Sequence, residues 1–253
     1  MPEGDTVHRI ALRIDAALGR RRLDSVAAPS RRSPLYSRAG ELEGATLEAA
    51  EARGKHLLLR FDGGRVVHSH LGMSGRWFVR ADGSEPFGRP WLTLAAGAAI
   101  ASQSGGKLLR LTSARRILID PTLRRLGPDP LAPGFDEAAA SRRLIGWEST
   151  EAVGAALLDQ RLLAGVGNVI RIEACFAAAV SPWRPIAELG AEEAERIVAS
   201  CRAIMRETVR TGQRPKRIYG AEIKPCPRCG GRIRRRGQGD ANRTTSWCPG
   251  CQL

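Results

Sequence analysis

Two cysteine pairs, Cys226-x2-Cys229 and Cys248-x2-Cys251, stand eighteen residues apart near the end of a 253-residue chain, and they dictate how its tail can fold. A segment of about 30 residues cannot enclose a core and needs a staple. Four thiolates at this spacing fit a tetrahedral Zn²⁺ site, so Cys226, Cys229, Cys248 and Cys251 are the expected ligands. Between the pairs, "RIRRR", a Gly-rich bend and "RTTSW" read as the two arms of a hairpin. A bare zinc ribbon is often purely structural or holds proteins together. One carrying Arg232, Arg234, Arg235, Arg236 and Arg243 is also suited to meeting a sugar–phosphate backbone. Cys175 and Cys201 lie alone in helical patterns and are expected in the core, with no disulfides.

The charge is concentrated at the same end. Residues 206–253 hold twelve Arg or Lys against Glu207, Glu222 and Asp240, a net +9 of the formal +14. For a soluble chain such a basic end suggests nucleic acid before a membrane surface. Only Lys55, Lys107, Lys216 and Lys224 are lysines, so arginine abundance alone can reflect a GC-rich genome. No run of about 18 apolar residues and no secretory signal pattern is visible, which predicts a soluble, cytoplasmic and nucleoid-associated protein.

Periodicity changes along the chain. Val7, Ile10, Ala11, Ile14 and Leu18 recur at helical spacing, with Gly19 as a stop. From about 20 to 119 short strand-like runs follow: "HLLLRF" and "RVVHSH" joined by "DGG" as a hairpin, then "WLTLAAG", "KLLRLTS" and "RRILID". They predict a β-sandwich or barrel. Beyond the linker "LGPDPLAPG", helices are predicted over 136–145, 150–163, 168–178 and 190–211. The expected domains are therefore 1–130, 131–221 and 222–253.

Several residues carry two readings. "MPEGDT" suits a helix start, since Pro is tolerated in the first turn and acids favour its positive end. Removal of Met1 would instead leave Pro2 as a secondary amine able to attack an electrophilic carbon. Lys55, in a chain that uses Arg almost everywhere, is either a surface charge or an ammonium able to release a proton. Met73, in "HLGMSG", is either core or a wedge for a base stack. Asn168 is either an N-cap or a phosphate ligand at a helix start. His68 and His70 alternate along a strand without partner ligands, so no second metal site is expected.

Six segments in order, "MPEGDT", "RGKHLL", "HLGMSG", "LGPDPL", "LLDQRLLAGVGN" and "NRTTSWCPGCQ", give the chain a close resemblance over its whole length to the formamidopyrimidine-DNA glycosylase and endonuclease VIII family. The resemblance implies an α+β multidomain protein: an N-terminal helix with a β-sandwich, a helix–two-turns–helix domain, and a C-terminal zinc-ribbon hairpin. It implies that Pro2 attacks C1′ of a damaged nucleotide, that Glu3 protonates the opening deoxyribose, and that Lys55 contacts phosphate and donates a proton. It also implies backbone binding by Asn168 and Arg243, with Arg243 linked to the second elimination, a further DNA contact at Arg125, and Met73 filling the void. One structural Zn²⁺, no catalytic metal or organic cofactor, damaged double-stranded DNA as partner, no membrane and a monomer complete the expectation.

The chemistry is consistent with that resemblance. A terminal amine has an unperturbed pKa of about 8, so part of it is neutral and nucleophilic at pH 7. "LLDQRLLAGVGN" and "WCPGCQ" resemble the endonuclease VIII branch and favour oxidised pyrimidines. "GMSG" resembles the other branch, and the stretch from Asp120 to Leu126 is short for its opposite-base loop. A clamp without chemistry that only senses damage, a glycosylase preferring oxidised purines, and an RNA-binding zinc-ribbon protein are the alternatives.

Overall fold

The computed structural model describes residues 1–84, 86, 88–220 and 225–253. The described chain forms two compact units, Met1–Arg124 and Arg125–Leu253.

In the first unit, α1 (Gly4–Leu18) precedes eight strands: β1 (Ser25–Ala27), β2 (Leu47–Arg53), β3 (His56–Phe61), β4 (Arg65–His70), β5 (Arg76–Arg80), β6 (Leu92–Ala96), β7 (Ala99–Ser104) and β8 (Leu108–Ser113). They pair antiparallel into two four-stranded sheets, β1-β6-β7-β5 and β2-β3-β4-β8. Val7, Ala11, Ile14 and Leu18 of α1 meet Leu57, Leu59, Phe61 and Val67 of one sheet and Trp77, Leu92 and Leu94 of the other in a single core. The helical period in the sequence is thus the buried stripe of a helix packed on a sandwich. α1 also runs back along β2. Asp15 Oδ1 accepts the Ala50 amide at 3.0 Å, and at the helix end Arg20 and Arg21 exchange backbone bonds with Leu47. The N-terminus of α1 therefore points toward the end of β2 that enters the β2–β3 turn.

"RRILID" departs from the strand pattern. It forms α2 (Ala114–Leu118), capped by Ser113 Oγ accepting the Arg116 amide at 3.3 Å, and α3 (Pro121–Arg124) follows. Only Ile117 and Leu123 are buried there, and Leu118 and Ile119 face outward. α2 packs on β4 and β8. That burial on one side in three satisfies a helix and not a strand.

The second unit contains α4 (Glu137–Ile145), α5 (Val153–Ala156), α6 (Asn168–Ala177) and α7 (Ala191–Thr211), then the antiparallel hairpin β9 (Arg234–Gln238) and β10 (Arg243–Trp247). The predicted helix over 150–163 is helical only at Val153–Ala156. Beyond it, side chains take over the backbone: Asp159 Oδ1 accepts the Arg161 amide at 2.8 Å, and Gln160 bonds the carbonyls of Leu158 and Val166 and the Gly165 amide. Such local bonds compete with the helical ladder. The result is a helix, two turns and a helix around a core that includes Leu144, Leu157, Leu163, Ile170, Ile197 and Val198.

The second unit begins at Arg125 and holds the hairpin together with the helices. Ile172 and Phe176 of α6 pack with Ile218, Ile233, Cys226 and Cys248. Arg228 Nη2 donates to the Phe176 carbonyl at 3.0 Å, and Gln252 Nε2 to that of Val180. The start of the tail expected at residue 222 lies outside the described residues.

Candidate functional site

The first unit gathers chemistry-bearing residues at one end of the β2-β3-β4-β8 sheet. Arg53 pairs with His56, so Gly54 and Lys55 alone make the β2–β3 turn. Gly54 has φ +57° while Lys55 does not take positive φ, the pattern of a II′ hairpin turn with Gly first. Lys55 therefore sits in the turn, half-buried, and not in the strand. At the same sheet end His56 faces His70, and His70 faces Leu108. The following turn, Leu71–Gly75, closes by Gly75 N–H donating to the Leu71 carbonyl at 2.9 Å and presents Met73, which is 69% exposed. Met73 is not a core residue.

Pro2 and Glu3 approach this end from α1. Glu3 is the N-cap and Gly4 the first helical residue, so Pro2 precedes the cap. The first-turn role that the helix-start reading gives to proline is not the one Pro2 occupies. Glu3 is 1% exposed and Asp5 is fully buried, whereas Pro2 is half-buried. From Asp15 back to Glu3 the helix rises about 18 Å, and from Ala50 to Gly54 the strand advances about 13 Å. Pro2 and Glu3 are thus carried to the level of the Lys55 turn.

In the second unit Asn168 is the first residue of α6, the cap being Gly167, and its side chain caps nothing. Its Oδ1 accepts from Arg171 Nε at 3.0 Å and Nη2 at 2.8 Å, and its Nδ2 donates to the Thr244 carbonyl at 3.0 Å. One Nδ2 hydrogen remains beyond that bond. Arg171, 1% exposed, also donates from Nη1 to the Gly154 carbonyl at 2.8 Å and to Gln238 Oε1, and from Nη2 to Thr245 Oγ1 at 2.6 Å. Arg243 opens β10 opposite Gln238, its side chain half-buried and its carbonyl 3.4 Å from Arg171 Nη2. Asn168 and Arg243 are thereby joined through one buried guanidinium. Arg125 is exposed and forms no hydrogen bond or ion pair among the described residues.

Sequence reasoning did not identify Arg171 or Glu173. The Glu173 carboxylate accepts the amides of Arg217, Ile218 and Tyr219 at 2.9, 3.0 and 2.7 Å, which ties the segment after α7 to α6. Two charged residues inside the apolar pattern "NVIRIEACF" were the available signal.

The four hairpin cysteines form the only cluster of potential metal ligands among the described residues, their Sγ atoms all within 4.8 Å of one another. Cys226 and Cys251 lie 3.7 Å apart, Cys229 and Cys248 3.5 Å. A tetrahedron with Zn–S bonds of about 2.3 Å has edges of about 3.8 Å, so the donor set fits that ion. The amides of Arg228 and Gly231 point at Cys226 and Cys229 Sγ, each at 3.4 Å. Burial opposes ionisation of Cys226, yet the amides of Arg228 and Cys229 and the neighbouring thiols draw its pKa down to about 7. Cys175, fully buried, is pushed up to about 12 by burial and is inert.

The family profile described as the formamidopyrimidine-DNA glycosylase N-terminal domain matches residues 1–118, and that of its H2TH domain matches residues 126–219. A Streptomyces coelicolor protein named probable endonuclease 8 2 is 39% identical, over the whole of this chain and 94% of its own. A formamidopyrimidine-DNA glycosylase of Thermus thermophilus is 35% identical over 86% of each chain. Among solved structures, Lactococcus lactis Fpg in complex with DNA containing an abasic site superimposes with a TM-score of 0.85 at 23% identity, over 99% of both chains. The chain belongs to the formamidopyrimidine-DNA glycosylase and endonuclease VIII family.

Proposed function

We propose that this protein is a bifunctional DNA glycosylase and abasic-site lyase that uses the amine of Pro2 as its nucleophile. The proposal is supported by Pro2 preceding the Glu3 cap of a helix that runs back along β2 toward the turn carrying Lys55. The neutral Pro2 nitrogen attacks C1′ as Glu3 protonates the deoxyribose oxygen. The bond from C1′ to the base breaks and the departing base takes up the proton that the amine loses; the C1′–O4′ bond then opens onto the oxygen protonated by Glu3, and the amine nitrogen is left as an iminium with C1′. The iminium acidifies the C2′ proton, so the 3′ phosphate departs by β-elimination and the 5′ phosphate by δ-elimination. That route needs no metal at the reaction centre. Lys55 supplies a charge and an exchangeable proton where a guanidinium supplies only the charge. Asn168, Arg243 and Arg125 hold the sugar–phosphate backbone, and Met73 fills the space left when the nucleotide leaves the stack, a step costing a few kcal/mol.

Cys226, Cys229, Cys248 and Cys251 hold a structural Zn²⁺, which supplies folding free energy to the hairpin. The partner is damaged double-stranded DNA, bound by a monomer in the cytoplasm. Among the described residues no helix is long and apolar enough to cross a membrane. Oxidised pyrimidines are the favoured substrates, supported by the "LLDQRLLAGVGN" and "WCPGCQ" segments and the relative named endonuclease 8 2. The Met73 turn and the Thermus relative support oxidised purines as the second reading.

Borohydride reduction with duplex containing one abasic site tests the activity. A covalent adduct mapping to Pro2 is expected. An active clamp without adduct would make the protein a damage-binding one.

A further inference from the structure

The outer face of the β2-β3-β4-β8 sheet, on which α2 packs, holds a line of polar groups that the proposed chemistry does not use. His56 and His68 are 8% and 1% exposed. Asp120 pairs with Arg110 Nη2, and Arg110 Nε and Nη2 lie 3.3 and 3.0 Å from His68 Nδ1. His68 Nε2 stands 2.8 Å from His56 Nδ1, and the His56 ring meets that of His70 edge-on with centroids 4.8 Å apart.

A guanidinium offers only donors, so His68 Nδ1 must be bare. The proton of neutral His68 is then on Nε2, where it is donated to His56 Nδ1. That places the proton of His56 on Nε2. A charged imidazolium at either position would set one N–H against another. Burial lowers the pKa of His56 to about 3 and of His68 to about 4, and it lowers that of His70 as well. The charged groups around them are Lys55, Lys107, Arg110 and Asp120.

The line ends where the reaction is proposed to occur. His56 closes the two-residue turn that carries Lys55. His70 Nδ1 accepts the Gly72 amide at 3.1 Å, at the head of the Met73 turn. We infer that the chain Asp120–Arg110–His68–His56 positions Lys55 for reaction, with His68 as a positioning residue that never touches DNA. A turn of two residues gives Lys55 little slack against movement of His56, and misplacement of a reacting group by about 1 Å can cost about 100-fold in rate. The inference rests on the role proposed for Lys55.

His68→Gln keeps one acceptor and one donor and can preserve both bonds, whereas His68→Leu removes both. Single-turnover excision and cleavage on a defined lesion should fall about 10- to 100-fold in His68→Leu, with Kd for abasic duplex within about 2-fold. His68→Gln should recover to within about 3-fold of the parent rate. In a Lys55→Arg background, His68→Leu should add less than about 2-fold, because both act through one group. Unchanged rates in His68→Leu, no recovery in His68→Gln, or losses that add in the double variant would overturn the inference. A Lys55→Arg enzyme of full activity would overturn the Lys55 reading and the inference with it. If near-ultraviolet circular dichroism shows that His68→Leu does not fold, Asp120→Asn, which frees Arg110, replaces it in the same cycle with the same criteria.

Discussion

Arg171 donates twice to the side-chain Oδ1 of Asn168, from Nε at 3.0 Å and Nη2 at 2.8 Å, and so decides which way that side-chain amide faces. The same guanidinium reaches Gln238 and Thr245 on the hairpin. The orientation of a proposed phosphate ligand on α6 is therefore set together with the seating of β9 and β10.

Arg171→Met should leave Asn168 Oδ1, Gln238 Oε1 and the Gly154 carbonyl without this donor. Leaving a buried acceptor without its donor costs about 1–3 kcal/mol, which thermal unfolding would register. DNA affinity should weaken about tenfold, or ~1.4 kcal/mol, in titrations of folded protein at fixed salt. Arg171→Lys presents a point charge in place of the fork and should not restore it. Wild-type affinity in the folded Met variant would refute the coupling.

Zinc removal acts on a different part of the second unit. The hairpin core is small and two of its members are Cys226 and Cys248. Chelation, or Cys248→Ser, should loosen the last 30 or so residues and weaken DNA binding while the sandwich stays folded. Limited proteolysis with mass detection would locate the change, and elemental analysis showing no zinc in active protein would sink the assignment.

Stability should also fall on acidification before the carboxylates protonate. The unfolded chain carries His56 and His68 near their ordinary pKa of about 6.5, while burial keeps them at about 3 and about 4 in the folded protein. As pH drops below about 6.5 the unfolded state binds protons that the folded state does not, and His56 and His68 together remove stability at up to about 3 kcal/mol per pH unit, with His70, also lowered by burial, adding in the same direction. Urea unfolding between pH 7 and pH 4.5 measures this slope. In His68→Gln it should be shallower, since one of the imidazoles whose pKa burial lowers is gone.

What the sequence disclosed, and what it withheld, follows from how local each determinant is. The α1 stripe, the β3–β4 hairpin and the cysteine pairs are patterns within a few residues, and they are present in the fold. "RRILID" looks like a strand because Ile117, Leu118 and Ile119 make a short apolar run, but its cap at Ser113 and the sheet beneath it make it helical. Asn168 looks like a cap because caps are local, yet its partners Arg171 and Thr244 include one 76 residues away. His68 shows no ligand partner in sequence because Arg110 is 42 residues distant and reaches it only through strand register. Gly237 is similarly opaque in sequence: a Cβ there would stand 1.6 Å from Asn242 Oδ1.

Met73 offers a test in which stability and activity separate. A side chain 69% exposed contributes little to folding, so Met73→Ala should change stability by less than about 0.5 kcal/mol. If Met73 fills the void in the stack, excision from duplex should slow about tenfold, since ~1.4 kcal/mol of the flipping cost is no longer offset. Cleavage of an abasic site in single-stranded DNA, where no stack needs refilling, should be unaffected. Equal losses on both substrates would remove the wedge role.

The nucleophile depends on one atom, and that makes its test the most direct. With Met1 retained, the Pro2 nitrogen is an amide and cannot form an iminium, so excision and strand cleavage should both vanish while DNA binding stays within about 2-fold. Pro2→Gly keeps an amine of different basicity and rigidity and should retain part of the activity. Glu3→Gln keeps the shape of a residue buried at the helix cap but removes its proton, so it should mainly stop excision and leave cleavage of pre-formed abasic sites. Lys55→Arg keeps the charge in the two-residue turn without a usable proton and should lose activity on damaged bases while still binding DNA. Intact-mass analysis of each preparation gives the state of Met1. Fully active protein with Met1 attached would exclude Pro2, and peptide mapping of the borohydride adduct would then be expected to end at Lys55.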